Sequence, residues 1–446
     1  SLPQAFRKEV RFLDSTIISQ EEIESSILKG KADIVAISCT TYNYLNALKV
    51  AELAKKNGSY VICGGIHITH RRDMILAKML KGERPFDYII TGYGEPSFSP
   101  LISALLENNS VAEIPNLCYI KNGKITINKS DNRKFGSDPL TFPLDYSKID
   151  FEKYSSNFKP YGNLISSKII GSTYTQRGCA YSGPKQCVFC SIERKCLRRS
   201  SHLFEKDLLN LISQYNVDQV RITDGDFTMD IKHMQQVRDA AVRVFRETGR
   251  KPLFHCFARA DEIDEKRAEI LRDLNVVSLM VGYESGSNRM LKSMNKHTTK
   301  EVNLSSTHFL KKYGIEVICG GLVLGAEGED EISIGETIDF AQKLKEIGNT
   351  TTMVATPLIP LPGSTCFNTL LKKTELDYPS KYKELLEEDN FNIEELIELW
   401  NHYSCNISIS RLIDVCNEIE EMFPIGIRLV DLKKIQANIK KDVITY

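Results

Sequence analysis

The sequence predicts an α/β protein with two parallel sheets. A doubly wound sheet near the N-terminus is followed by a partial (β/α)6 barrel and then by a helical C-terminal region. Two observations support this. Short apolar runs alternate with amphipathic runs of helical period, as is typical of parallel strands covered by helices on both faces. Glycine and polar residues are concentrated where the apolar runs end, which is where such folds bind ligands.

The charge balance and the apolar content limit the classes of protein to which the chain can belong. Lys and Arg number 58, and so do Asp and Glu, so the net charge of zero gives no electrostatic case for binding nucleic acid or an anionic membrane. No apolar run reaches the roughly 18 residues of a membrane span, and the first residues do not resemble a signal peptide. Most of the twelve cysteines lie in apolar runs, where reduced, buried thiols are expected. The prediction is a cytoplasmic protein without a membrane span.

Residues 1–110 are predicted to form the doubly wound domain. Strands are expected at residues 9–13, 33–37, 60–63 and 88–90, and helices at 20–29 and 45–56. Because parallel strands end at one edge of a sheet, small or polar residues that follow several strands predict a site for a bulky ligand there. These residues are Ser38, Thr40, Gly64, Gly65, His67, Gly92 and Gly94.

Three further regions follow. Residues 111–165 are predicted to be a connector with a hairpin around Asn122 and Gly123. Residues 166–365 are predicted to form the partial barrel, with strands at 168–174, 219–223, 253–259, 277–283, 317–324 and 353–358. Its helices are expected at 205–214, 232–246, 265–273, 299–312 and 331–345. The helical region, residues 366–446, contains the single tryptophan, Trp400, and is expected to be a lid or a partner surface.

Three cysteines follow the first barrel strand with the spacing C-x7-C-x2-C: Cys179, Cys187 and Cys190. Three thiolates on one loop can hold an iron–sulfur cluster and leave one iron without a protein ligand. Two alternatives remain at this point. One is a zinc site with Cys196 as the fourth ligand, and the other is a set of buried cysteines without metal.

Six further motifs follow in order along the barrel strands. They occupy residues 222–227, 258–261, 281–287, 294–299, 321–325 and 357–363. With these motifs and its cysteines, the chain resembles the radical SAM superfamily, and more closely its cobalamin-binding branch. The usual loop of the superfamily is C-x3-C-x2-C, so the longer first gap leaves the subfamily undetermined.

The resemblance implies a cofactor set and residues that bind it. The three cysteines would bind a [4Fe-4S] cluster whose open iron takes the amino and carboxylate groups of S-adenosylmethionine (SAM). Other residues would contact SAM: Asp224, Gly225 and Asp226 at the methionine amino group, Arg259 at the carboxylate, Glu284 and Ser285 at the ribose and methionyl end, and Phe189, Val323 and Gly325 at adenine. Helix capping by the aspartates, a structural ion pair of Glu284 and a structural or solvated Arg259 remain as alternatives.

The first domain is similar to the cobalamin-binding fold. Ser38, Thr40, Gly64 and Gly65 match its second and third motifs, and Gly92, Gly94 and His67 are candidate further contacts. The first motif of that fold, Asp-x-His-x-x-Gly, would fall before residue 1, and the first strand and helix are expected to be missing or shortened. Cobalamin is therefore the expected third cofactor, with an empty scaffold domain as the alternative.

The implied activity is reductive cleavage of SAM and hydrogen abstraction by the resulting 5′-deoxyadenosyl radical. The leading function is a cobalamin-dependent methyltransferase that acts on an unactivated carbon. The alternatives are radical oxidation or rearrangement without methyl transfer, and a non-catalytic iron–sulfur or zinc protein. The expected partners are a small-molecule or peptide substrate and an external electron donor, with no nucleic acid.

Overall fold

The structure is a computed structural model that describes residues 9–129, 143–157, 169–181, 183–192, 196–385 and 392–423. It divides into two compact units, Ser1–Asp150 with Thr374–Phe391 and Phe151–Lys373 with Asn392–Tyr446. These units cut across the predicted boundaries, because residues 111–150 and a segment of the predicted C-terminal region belong to the first unit. Parts of the predicted regions, including residues 1–8, 168 and 424–446, lie outside the described residues. No helix in the described part is long and apolar enough to cross a membrane.

The first unit contains a five-stranded sheet in the order β1-β2-β3-β4-β5. The strands are β1 (Ile34–Ser38), β2 (Tyr60–Gly64), β3 (Tyr88–Ile90), β4 (Leu117–Lys121) and β5 (Lys124–Ile127). The helices in this part of the chain are α1 (Gln20–Lys29), α2 (Tyr44–Lys56), α3 (Ile66–Leu80) and α4 (Glu95–Leu106). The first three strands are parallel, and the last two are antiparallel. The register of Ser38 opposite Gly64 puts the ends of β1 and β2 at one edge.

Both faces of this sheet are covered, as the apolar strands predict. In β2, Val61 and Cys63 belong to a core formed with α1, α2 and α3, whereas Ile62 belongs to a second core with Leu101 of α4. The predicted strand at residues 9–13 is wrong, because that segment contains no strand. Its apolar residues have no neighbouring strand with which to form a ladder, and a strand depends on such a partner.

The hairpin of β4 and β5 extends this sheet and does not form a separate connector. Asn122 (φ +51°) and Gly123 (φ +67°) adopt the left-handed pair that a two-residue hairpin turn requires. Since β4 pairs with β3, the hairpin forms the antiparallel margin of the first sheet.

The second unit contains a six-stranded parallel sheet in the order β13-β12-β11-β10-β9-β6. Its strands are β6 (Ile170–Thr173), β9 (Gln219–Ile222), β10 (Leu253–Arg259), β11 (Val276–Glu284), β12 (Glu316–Leu324) and β13 (Met353–Pro357). A short antiparallel ribbon, β7 (Gln176–Arg177) with β8 (Leu197–Arg198), carries the cysteine loop between its strands. Strands that neighbour in sequence also neighbour in the sheet, which is the order of a partial β/α barrel.

Helices connect these strands on the outer face. They are α6 (Ser201–Tyr215), α7 (Ile231–Thr248), α8 (Glu265–Asp273), α9 (Asn288–Ser293), α10 (Lys300–Lys312) and α11 (Glu331–Ile347), and α5 (Phe151–Asn157) precedes the first strand. Side-chain caps fix the starts of α7, α8 and α10 at Asp230, Asp264 and Thr299. The Tyr283 hydroxyl in β11 lies 2.7 Å from the Thr307 hydroxyl in α10, which identifies the outward face of the strand.

The last helices of the described chain are α12 (Thr365–Asp377), α13 (Pro379–Lys383), α14 (Ile393–Ser404) and α15 (Ile409–Glu421). Trp400 in α14 is 3% exposed, and its indole N–H donates to the Gly325 carbonyl at 2.7 Å. The expectation of a lid or partner surface is therefore wrong for Trp400, which is a core residue of the second unit.

Candidate active site

A buried carboxylate holds the segment that enters the cysteine loop. Asp224, just after β9, accepts hydrogen bonds from the backbone N–H groups of Thr175 (2.7 Å) and Gln176 (3.1 Å) and from the Thr175 hydroxyl (2.5 Å). Nε2 of His233 lies 2.9 Å from the same hydroxyl oxygen. Because the hydroxyl proton goes to Asp224, the imidazole Nε2–H is the donor. Burial raises the pKa of Asp224 to about 6 in spite of its three donors.

The three predicted cluster ligands lie close enough to influence one another. The Cys190 N–H donates to the Cys187 carbonyl at 3.1 Å, so these two cysteines share one tight turn. Burial raises the pKa of Cys190 to about 11, and the neighbouring Cys187 and Cys179 add to this rise. Burial also raises the pKa of Cys179. Iron binds the thiolate form, and the positive charge of a cluster would offset this rise. The donor set of three soft thiols therefore fits an iron–sulfur cluster.

The zinc alternative has less support. Within the described ranges, no three His, Cys, Asp or Glu side chains are grouped so that they could hold one metal ion. The Cys196 thiol donates to the Gln176 side-chain oxygen at 3.7 Å. Cluster ligands bind different irons and need not converge on one point, so this spacing is compatible with a cluster.

Arg259 lies beside the cysteine loop with its guanidinium engaged by protein groups. Nε and Nη2 each donate to a carboxylate oxygen of Asp261 at 3.0 Å, and Nη2 also donates to the Lys296 carbonyl. Nη1 lies 3.5 Å from the Cys187 sulfur, and the Tyr181 ring lies under the guanidinium at 3.7 Å. The predicted pairing of Arg259 with the methionine carboxylate is at odds with this geometry, because Asp261 already takes the bidentate fork.

Next to this ion pair, the buried Asp226 and the half-buried Glu262 each have a carboxyl oxygen without a partner among the described residues. These oxygens are Oδ2 of Asp226 and Oε2 of Glu262. Burial raises the pKa of both groups, that of Glu262 to about 7, and the Asp226 charge adds to the rise at Glu262. An orphaned carboxylate oxygen beside the cluster ligands fits a cationic group such as the methionine ammonium of SAM. Gly225 lies between the buried Asp224 and Asp226 and is exposed, so its backbone is accessible to a ligand.

Glu284 has an unusual backbone conformation at the carboxyl end of β11. Its φ of +65° lies in the left-handed region, where a non-glycine residue costs on the order of 1–3 kcal/mol and commonly marks a functional position. Its Oε1 accepts from Nζ of Lys296 at 2.8 Å, and both side chains are largely buried. A Cβ at Gly282 would lie 2.5 Å from the same oxygen, so glycine makes room for this pair. The ribose contact of Glu284 stays a prediction.

The predicted contact of Ser285 with the methionyl end is at odds with its surroundings. Ser285 is fully buried, its hydroxyl lies 3.1 Å from the Thr337 hydroxyl, and its oxygen accepts the Ser287 N–H at 3.0 Å. These bonds fix the turn after β11 and leave the side chain inaccessible to a ligand.

The structure brings together two of the three residues predicted at adenine. Phe189 and Val323 pack into one apolar cluster with Met290, Met294 and Ala326. Gly325 is directed elsewhere. Its N–H donates to Glu329 at 3.1 Å, and its carbonyl accepts from the Trp400 indole N–H. Because both backbone groups already have protein partners, the predicted adenine contact of Gly325 is at odds with the structure.

The carboxyl edge of the first sheet contains the residues predicted for cobalamin. Ser38, Thr40 and Gly92 are exposed there, and Gly94 begins α4. Gly65 has a φ of +102°, and a Cβ on it would lie 2.3 Å from the Cys39 carbonyl oxygen. Glycine is therefore required at position 65, where the end of β2 passes the Cys39 backbone. The exposed residues at this edge leave room for a bulky ligand.

His67 is not among the groups presented at this edge. It is 1% exposed, its ring stacks on Tyr44 at 4.1 Å, and Nδ1 lies 3.1 Å from the Thr41 hydroxyl. The predicted direct contact of His67 with cobalamin is at odds with this burial. Its side chain stabilises the packing of α2 against α3.

Several side chains of the second unit were missed by reasoning from the sequence. They are Thr175, Tyr181, His233, Glu262 and Lys296. Lys296 lies within one of the six motifs, so its charge was an available signal. The others acquire their roles through partners 49 to 81 positions away in the chain, which no local pattern reveals.

Comparisons with known protein families find one known domain in each of the two predicted sheet-containing regions. Residues 173–341 match the family model described as Radical SAM superfamily, and residues 1–102 match the B12 binding domain. A protein named as an uncharacterized methyltransferase from Pyrococcus horikoshii is 27% identical over 343 residues, which are 75% of this chain and 69% of that protein.

Two groups of solved structures share the fold. The radical SAM methyltransferase TsrM from Kitasatospora setae, bound to tryptophan and a SAM analogue, has a TM-score of 0.62 at 16% identity, covering 79% of this chain and 68% of that one. The cobalamin-dependent radical enzyme OxsB, with aqua-cobalamin and SAM bound, has a TM-score of 0.66 at 19% identity, covering 92% of this chain and 62% of that one.

These matches confirm the resemblance and the fold class drawn from the motifs. The family carries three cofactors, a [4Fe-4S] cluster and SAM in the radical SAM domain and cobalamin in the B12 binding domain. The donor set of the cysteine loop and the exposed edge of the first sheet fit them. The chain therefore combines a B12 binding domain with a radical SAM domain, the pair of domains that characterises the cobalamin-binding branch of the radical SAM superfamily.

Proposed function

We propose that this protein is a cobalamin-dependent radical SAM methyltransferase acting on an unactivated carbon. The observation that carries the proposal is the grouping at the carboxyl edge of the partial barrel. There, the three thiols follow β6, the orphaned oxygen of Asp226 follows β9, and the strained Glu284 ends β11. The methyltransferase name of the Pyrococcus relative supports the reaction class.

When bound, the cluster supplies an electron for reductive cleavage of SAM, and cobalamin carries the methyl group. The residues of the chain bind and orient SAM. Asp226 would hold the methionine ammonium through Oδ2, which has no partner among the described residues, and Glu284, held by Lys296, would bind the ribose hydroxyls. Phe189 and Val323 provide an apolar surface for adenine. Arg259 donates to the Cys187 sulfur and helps to hold the cysteine loop in place.

The proposal includes two partners and a compartment. A small-molecule or peptide substrate supplies the carbon, and an external reductant supplies the electron. All twelve cysteines are free thiols, which suits the reducing cytoplasm.

Product analysis tests the reaction. The full chain is reconstituted anaerobically with iron, sulfide and cobalamin, then supplied with SAM, a reductant and candidate substrates. A methyltransferase of this kind uses two SAM molecules, so 5′-deoxyadenosine and S-adenosylhomocysteine are expected together with methylated product. 5′-Deoxyadenosine with an unmethylated but altered substrate would favour radical rearrangement or oxidation, and the absence of any SAM cleavage would reject the enzymatic proposal.

Replacement of single cysteines tests the ligand set. Cys187→Ala removes a thiolate ligand, so reconstituted protein is expected to lose most of its iron and of its absorbance near roughly 400 nm, the charge-transfer band of thiolate clusters. Cys196→Ala is the matched control, since this nearby thiol hydrogen-bonds to Gln176 and is expected to leave iron content unchanged. Full iron retention by Cys187→Ala, or its loss in Cys196→Ala, would contradict the assignment.

A further inference from the structure

The described end of the long gap before Cys187 is folded. Residues Gly183–Lys185 form a single 3-10 turn, and the Gln186 N–H donates to the Gly183 carbonyl at 3.1 Å. Gln186 is buried, and its side-chain Nε2 donates to the Cys190 carbonyl at 2.8 Å. This segment therefore continues directly into the tight turn that contains Cys187 and Cys190, and it is bonded to the last of the three cysteines.

The side chain of Asn295 holds this segment in place. Its Nδ2 donates to the Pro184 carbonyl and to the Gln186 carbonyl, each at 2.8 Å. The amide nitrogen carries two protons, so each carbonyl takes one. Asn295 follows α9 with a φ of +54°, in the left-handed region that asparagine adopts more readily than most residues. This backbone conformation directs the carboxamide at the two carbonyls.

The neighbours of Asn295 contact the cysteine turn and the predicted SAM site. The Met294 carbonyl accepts the Val188 N–H at 3.1 Å, so two consecutive residues hold three alternate positions of the loop. Lys296, the next residue, donates to Glu284 at 2.8 Å. These three residues therefore fix the cysteine turn relative to the carboxylate that is proposed to bind the ribose.

Asn275 makes the same kind of contact at the opposite end of the strands. Its φ is +69°, and its Nδ2 donates to the carbonyls of Lys251 at 3.3 Å and of Pro252 at 2.8 Å. Asn275 precedes β11, at the amino end of the parallel strands, whereas the cysteine loop lies beyond the carboxyl end of β6. Both asparagines are half-buried. The two side chains therefore have the same structural role, and they differ in whether the segment they hold carries cluster ligands.

We propose that Asn295 is a positioning residue for the cluster, which sets its reduction potential and slows the release of its iron by fixing the turn with Cys187 and Cys190. The inference rests on the proposed function for the cluster and for reductive cleavage of SAM, and does not depend on methyl transfer. Removal of groups that orient metal ligands commonly lowers metal affinity by roughly 10- to 100-fold. The potential of a cluster depends on hydrogen bonds and solvent access around its sulfurs, and both change with the position of the turn.

Iron release from the reconstituted full chain, measured with an anaerobic ferrous chelator and without SAM, tests the proposal. Asn295→Gly removes both donors, and glycine adopts a φ of +54° without strain, so the backbone is expected to stay unchanged. Iron is expected to leave this variant about tenfold faster than it leaves the native chain. Asn275→Gly is the matched control and is expected to release iron at the native rate. A native rate in Asn295→Gly, or equal acceleration in both variants, overturns the proposal.

A redox titration followed by EPR spectroscopy separates a positioning role from a merely structural one. A loosened turn admits water, which stabilises the more highly charged reduced cluster, so the potential of Asn295→Gly is expected to rise. The expected change is about tenfold in the ratio of reduced to oxidised cluster at a fixed applied potential, or about 59 mV for one electron. Asn275→Gly is expected to keep the native potential. A native potential in Asn295→Gly contradicts the proposal even if its iron is released faster.

Asn295→Asp provides a second variant at the same position. Aspartate has the same size and also tolerates the left-handed backbone, but its carboxylate repels the two carbonyls and adds a negative charge near the cluster. This variant is expected to release iron at least as fast as Asn295→Gly and to have a lower potential than that variant. A potential change seen only in Asn295→Asp would reflect the added charge alone and would reject the positioning role.

Folding and SAM cleavage are measured on the same samples. Circular dichroism of the metal-free chains shows whether each variant is folded, and unfolding of both Asn295 variants would overturn the proposal, because the residue would then be required for the whole unit. Failure of the proposed function appears as the absence of 5′-deoxyadenosine from the native chain. Failure of this inference appears instead as native iron release and a native potential in Asn295→Gly, while the native chain still cleaves SAM.

Discussion

At the scale of single residues, the second unit uses buried charge to fix the cysteine loop. Asp224 and His233 bind the same threonine hydroxyl, and burial perturbs both in opposite directions. It raises the pKa of Asp224 to about 6 and lowers the pKa of His233 to about 4. Burial therefore shifts both groups towards their neutral forms, and hydrogen bonds to these two groups fix the start of the loop.

Neutralising Asp224 is expected to change how stability depends on pH. A carboxyl group whose pKa is raised in the fold stabilises below its unfolded value of 3.8, and this contribution is lost as pH rises through about 6. Asp224→Asn removes that loss. The free energy of unfolding of the variant, relative to the native chain, is therefore expected to rise by about 2 kcal/mol between pH 4 and pH 6.

Urea unfolding of the metal-free chain, followed by circular dichroism at several pH values, measures this difference. Asp239→Asn, at an exposed aspartate on the same helix as His233, is the control and is expected to shift unfolding equally at every pH. A difference between Asp224→Asn and the native chain that stays constant across this range would show that Asp224 is not held neutral by burial.

The limits of the sequence are clearest at Arg259, Ser285 and His67. Each was predicted as a ligand contact because a polar side chain follows a strand or lies in a motif. Each is satisfied by protein partners, namely Asp261, Thr337 and Thr41. A motif indicates that a polar group lies at the site, but whether it is directed at the ligand or at a neighbour depends on packing between distant segments. The cysteines were easier, because their spacing on one loop is itself the signal.

At the scale of elements, capping and periodicity made the helices predictable. Helix α1 has the predicted bounds because Ser19 and Glu22 form a capping box, and α8 begins at the Asp264 cap as expected. Strands depend on partners far away in the chain, so the apolar segment 9–13 gave the wrong prediction. The six barrel strands were predictable together, because their alternation with helices imposes a common parallel order.

The turn between β2 and α3 depends on close approach of two strand ends, and Gly65→Ala tests this. A Cβ there would lie 2.3 Å from the Cys39 carbonyl oxygen and 2.7 Å from its nitrogen, on a backbone with φ of +102°. The variant is expected to lose several kcal/mol of stability, on the order of 2–4, because both backbone segments must move. Reduced retention of cobalamin after gel filtration is expected to accompany this loss.

Gly94→Ala is the matched control at the same edge. Its φ of −79° suits any residue, and a Cβ there would meet nothing within 4 Å. Its urea midpoint is expected to stay within experimental error of the native value. Equal midpoints for Gly65→Ala and Gly94→Ala would mean that the Cys39 backbone yields without cost, and the steric account of this turn would be wrong.

At the scale of the whole molecule, the first unit is built from two separate stretches of the chain. Ser1–Asp150 is completed by Thr374–Phe391, which follows the last barrel strand in sequence. Arg71 in α3 is 6% exposed, and its Nη2 donates to the Leu385 carbonyl at 2.9 Å. A charged donor buried against a carbonyl from such a remote segment joins the stretches more firmly than a surface contact would.

Arg71→Met is therefore expected to loosen both stretches of the first unit together. A buried hydrogen bond to a charged group contributes about 1.5–3 kcal/mol, so amide exchange in α3 and α13 is expected to accelerate about tenfold or more. Hydrogen-exchange mass spectrometry of the full chain measures this, with α7 of the second unit as the internal reference. Arg72→Met is the matched control, because this half-exposed neighbour pairs with Asp73, the next residue in the chain. Faster exchange confined to α3 would contradict the role of Arg71, since the segment around Leu385 would then be held by other contacts.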